Sequence, residues 1–96
     1  MTNQPNQQPQ EIKIADSIAG AEYANAMQVS HNRDEFQIAF FTLAGASGRV
    51  VSKIITSPGH FKRMVAAVAE NLKKYEDQFG EIKEAAGPEK EIGFKG

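Results

Sequence analysis

The chain has 96 residues, 41% of them apolar, with 11 Lys+Arg against 12 Asp+Glu for a formal net charge of −1, and it contains no Cys and no Trp. A chain of this length describes one small domain. The lack of Cys excludes a disulfide scaffold, thiolate metal sites, a Cys nucleophile and dithiol redox chemistry, and the near-zero charge argues against nucleic-acid binding by bulk electrostatics.

The first ten residues, MTNQPNQQPQ, are six Asn/Gln, two Pro, one Met and one Thr. Such a stretch buries too little apolar surface to offset its ordering entropy, so residues 1–10 are expected to be a disordered arm. They have neither the basic start nor the apolar run of a secretory signal, and nowhere does the chain approach the roughly 20 apolar residues that span a bilayer. The expected location is therefore the cytoplasm, with no membrane partner.

Residues 11–80 form the expected folded domain. Glu11–Ala15 alternates, with Ile12 and Ile14 on one face, as a short strand would, and Asp16–Gly20 has turn chemistry. Glu22–Ser30 also alternates: Tyr23, Asn25, Met27 and Val29 on one face, Ala24, Ala26, Gln28 and Ser30 on the other. His31–Asp34 is a polar four-residue turn. Glu35–Leu43 is rich in aromatic and β-branched residues and reads as a strand, with Phe36, Ile38 and Phe40 opposite in face to Ala39, Phe41 and Leu43. Ala44–Gly48 is a Gly-rich reversal, and Arg49–Thr56 is the next strand.

A long helix follows. Ser57 stands where an N-cap belongs, Pro58 occupies the first helical position, and His60 is placed to bond the cap region. Phe61, Met64, Val65, Val68, Leu72, Tyr75 and Phe79 recur at steps of three and four, and Gly80 stands at the C′ position. Residues 81–96 hold seven charges and a Gly87-Pro88 break, and read as a flexible charged tail in which Ile92 and Phe94 could dock on the body or on a partner.

The fold class expected is α+β: a small antiparallel meander of three to four strands, followed by one long helix packed on one sheet face. A turn at residues 31–34 places Ser30 opposite Glu35 and collects Met27, Val29, Phe36, Ile38 and Phe40 into one apolar surface. Val50 and Ile54 join it when Ile38 faces Ile54, and the helix covers it. The other face carries Ala39, Phe41, Leu43, Val51 and Ile55, more apolar surface than a one-helix domain can cover. Its expected cover is a second copy around a twofold axis; the alternatives are the first strand or the tail. A body of about 70 residues without disulfides also favours oligomerisation.

The segments YANAMQVSHNRDEF and TSPGHFKRMVAAVAENLKKYEDQFG, joined through an Arg-Val-Val strand, resemble an uncharacterised prokaryotic family of short proteins, domain of unknown function 3467, from about Ile12 to Phe79. The family has no assigned activity to carry over. Its members commonly hold an aromatic residue in the turn after Val-Ser, where this chain has His31-Asn32-Arg33.

No residue pattern points to an enzyme, a metal site or a cofactor. His31 and His60 are the only histidines and form no H-x-x-x-H pair. Asp34 and Glu35 are adjacent and point apart. Gly45–Gly48 lies between two strands, whereas a phosphate-cradling loop opens a helix. The function expected is a homo-oligomeric interaction or scaffold protein, with an unidentified protein partner open. The alternative is weak nucleic-acid binding by Arg33, Arg49, Lys53, Lys62 and Arg63, with Arg49 and Lys53 on one strand face. Against it, the four cations of the helix are interleaved with Glu70, Glu76 and Asp77.

Overall fold

A computed structural model of the chain describes residues 10–87. The expected arm therefore lies almost wholly outside the described residues, and so do Ile92 and Phe94 of the tail. The order is β1 (Ala26–His31), β2 (Phe36–Ala44), β3 (Ser47–Thr56) and α1 (Pro58–Phe79), and the three strands form an antiparallel meander in the order β1-β2-β3. This is the α+β architecture expected, with three strands. Glu11–Ala15 forms no strand, and β1 starts at Ala26 rather than Glu22. Alternation is necessary for a half-buried strand, but a strand also needs a ladder partner, and residues 11–15 have none in this sheet.

The register of the first hairpin differs from expectation by two residues. Val29 pairs with Ile38, Met27 with Phe40 and His31 with Phe36. The cause is the turn. The Asn32 side-chain oxygen accepts from the backbone N–H groups of Asp34 and Glu35, at 2.8 and 3.0 Å, while the Asn32 N–H donates to the Glu35 carbonyl at 3.0 Å. Asn32 and Glu35 thus close a loop containing only Arg33 and Asp34. A shift of two keeps every side chain on its expected face, since the strand period is two. Face A therefore collects Met27, Val29, Phe36, Ile38 and Phe40 as expected, and Ile38 does pair with Ile54.

The second hairpin turns through Gly45-Ala46, where Gly45 has φ 62° and Ala46 does not have positive φ. A positive φ at the first central residue alone is the sign pattern of a type II′ turn and favours Gly there. Further along, the β2–β3 ladder breaks register: Phe40 pairs with Ser52 but Phe41 pairs with Val50, so Val51 is an extra residue. This bulge reverses the faces of β3 beyond it. Val50 joins Ala39, Phe41 and Leu43 on the opposite face, face B, not Ile54 on face A, and Arg49 moves to face A opposite Thr42. Lys53, opposite Ala39, stays on face B. The expected Arg49/Lys53 row does not exist.

The 22-residue helix starts as its cap predicts: the Ser57 hydroxyl accepts from the His60 N–H at 3.2 Å, with Pro58 at the start. It ends at Gly80, whose φ is 102° and whose N–H donates to the Glu76 carbonyl at 2.9 Å. Its relation to the sheet differs from expectation. Phe61 stacks on Phe36 with ring centroids 4.1 Å apart, and Met64 is half-buried, but no helical residue is fully buried. From Val65 onward the stripe leaves the sheet, and Val65, Val68, Leu72, Tyr75 and Phe79 are 48–70% exposed. The radius of gyration is 18.6 Å, against about 12 Å for a compact chain of this length. The core is correspondingly small: Ile38, Ala39 and Phe41, all in the central strand.

Candidate interaction surface

The distal end of the sheet is held by the Tyr23-Ala24-Asn25 segment. Asn25 donates its backbone N–H to the Phe41 carbonyl at 3.0 Å. Its side-chain amide then does what a peptide group would do in the next ladder position: Nδ2 donates to the Leu43 carbonyl at 3.0 Å, and Oδ1 accepts the Leu43 N–H at 2.8 Å. The Tyr23 carbonyl accepts from the Thr42 hydroxyl. β1 can therefore end at Ala26 without leaving these groups of β2 unpaired. Asn25→Ala removes both side-chain bonds and is expected to cost about 1–3 kcal/mol of unfolding free energy, measured from the urea midpoint at constant slope.

The basic candidates are dispersed and partly neutralised. Arg49 pairs with Glu22 at 3.2 Å, and on the helix Lys73 pairs with Asp77 at 2.8 Å and Lys74 with Glu70 at 3.2 Å. Arg33 is in the first hairpin loop, Lys53 is on face B, and Lys62 and Arg63 are in the first turns of the helix. The Arg63 guanidinium donates to Nδ1 of His60 at 3.1 Å. His60 thus caps through its backbone, and its ring serves Arg63. Ser57→Ala, by removing the cap hydroxyl, is expected to lower stability by about 1 kcal/mol, read from the thermal midpoint. Among the described residues, no three His, Asp or Glu side chains come together as a metal set, and no helix is long and apolar enough to cross a membrane.

Of the five apolar residues assigned to an exposed face B, Ala39 and Phe41 are already buried in the single chain, at 9% and 2% exposure. Leu43 and Val51 are half-buried, and only Ile55 is largely exposed, at 62%. The exposed apolar surface lies elsewhere. On face A, Met27, Val29 and Ile54 flank the buried Ile38 and are each about half open. That face meets the helix at the Phe36–Phe61 stack, where Phe36, Phe61, Val65 and Ala69 line an open apolar cleft. From the cleft the stripe continues through Val68, Leu72, Tyr75 and Phe79, with the Tyr75 and Phe79 rings 4.9 Å apart. Every one of these residues was visible in sequence as an apolar position. What sequence could not show is that one helix touches its own sheet only at its first turns.

The comparisons with known proteins give one finding. Residues 1–84 match the family described as Protein of unknown function (DUF3467). No curated protein and no solved structure matches the chain. With the match covering most of its length, the chain belongs to the DUF3467 family.

Proposed function

We propose that this protein is a self-associating interaction module without catalytic activity. The observation that carries this is the helix stripe: five large apolar side chains, from Val65 to Phe79, lie 48–70% exposed along one side of a 22-residue helix. A contiguous apolar surface of that extent marks an association site, and a core of three residues leaves a domain this small in need of further burial. The near-zero net charge lets like copies approach without mutual repulsion. The paired state of Arg49, Lys73 and Lys74 weighs against a polyanion as the occupant.

Light scattering coupled to size-exclusion chromatography, run from high to low micromolar protein, tests the reading. The expected result is a mass of two or more chains that falls only on strong dilution. A folded monomer throughout that range would overturn it.

A further inference from the structure

We infer that the stripe of α1 from one copy docks on face A of a second copy, reciprocally, so that each chain's helix completes its partner's core. This rests on the self-association proposed above and identifies its surfaces. Three observations support it.

The first is complementarity. On face A the helix reaches only the Phe36 end, leaving Met27, Val29 and Ile54 about half open around the buried Ile38, and the stripe from Val65 to Phe79 is a helix surface with no sheet beneath it. An α+β layer is satisfied when those two surfaces meet. Helix-to-helix pairing alone would leave Met27, Val29 and Ile54 exposed on both copies.

The second is continuity. Face A and the stripe adjoin at the Phe36–Phe61 stack, where Phe36 of the sheet and Phe61, Val65 and Ala69 of the helix line one open cleft. A helix entering that cleft touches both the sheet and the first copy's helix. Under a twofold axis each copy is both host and guest, as an isologous contact requires.

The third is area. From their exposed fractions, Met27, Val29, Ile54, Val65, Val68, Leu72, Tyr75 and Phe79 offer about 800 Å² per copy, on the order of what each partner contributes to a standard stable interface.

The native chain has no Cys, so introduced thiols report geometry cleanly. In the full chain, the double variant Val29→Cys/Val68→Cys should run as a covalent dimer on a non-reducing gel after mild oxidation, while neither single variant does. A second pair, Ile54→Cys/Leu72→Cys, samples a neighbouring register, and either pair linking between chains supports the docking. If Val68→Cys alone forms the covalent dimer, helices pair with helices and the inference fails while self-association stands. If the thiols link within one chain, the helix folds onto its own sheet and the inference fails. A dimer by light scattering with no linkage from either pair also overturns it, and a monomer overturns both this docking and the self-association.

Discussion

Phe41→Ala is expected to reduce the unfolding free energy by about 3–5 kcal/mol, the cost of emptying a buried aromatic site. The side chain is 2% exposed in the single chain and sits in the central strand, opposite Ala26 on one side and Val50 on the other. For a domain this size, whose total stability is roughly 0.05–0.15 kcal/mol per residue, such a loss is a large fraction of the total. Urea denaturation at several protein concentrations separates this from an effect on assembly. A residue buried within one chain lowers the midpoint equally at every concentration, whereas an interface residue weakens its concentration dependence. Ile55→Ala, on the same face but mostly exposed, should change stability by less than about 1 kcal/mol. Unchanged stability with a smaller particle for Phe41→Ala would restore face B as the contact surface.

Leu72→Asp is expected to have the opposite profile. Leu72 lies near the middle of the exposed stripe, flanked one turn away by Val68 and Tyr75, and is half open in the single chain. A carboxylate there must be desolvated for the surfaces to close. A central apolar contact of this kind should weaken association by about 2–4 kcal/mol, roughly 30- to 1,000-fold in Kd. Sedimentation velocity at ten micromolar or below should show monomer, with a thermal midpoint that is lowered and no longer rises with protein concentration. Gln78→Asp, on the polar side of the same helix, serves as the control and should remain assembled. If Leu72→Asp keeps the native mass, the stripe is not the contact.

These two positions show what could be read from the residues and what could not. Apolar periodicity fixes which face a side chain takes, and it did so for Met27, Val29, Phe36, Ile38 and Phe40. It cannot fix register to better than a multiple of two, because a two-residue shift leaves every face unchanged. The missing information sat in Asn32, whose side chain closes the turn over Asp34 and Glu35. The helix was legible in both boundaries because caps are local chemistry: Ser57, Pro58 and Gly80 do in the structure what those residue types do in short peptides. The angle at which the helix leaves the sheet is not local. It depends on the few residues between Thr56 and Phe61 and on what else is present to cover the stripe. Phe41 and Leu72 therefore exchanged places, the strand residue becoming core and the helix residue becoming surface.

The segment just before β1 has a structural role as well. Tyr23-Ala24-Asn25 looked like the start of a strand, yet its Asn side chain replaces a backbone pair at Leu43. No periodicity argument finds such a role, because it depends on an amide reaching a ladder that belongs to another element. A polar residue one position before a strand, facing a partner strand three residues longer, is the signal that could have suggested it.

The extra residue in β3 has a consequence for chain length. Because Val50 and Val51 together oppose Phe41, removing either one straightens the strand while every other partner, from Thr56 opposite Phe36 to Ser47 opposite Ala44, stays where it is. Removal of a residue nearer either end, such as Ile54, would instead turn part of the strand over. Within this sheet, a relative one codon shorter can keep the same architecture only if the gap falls at that step.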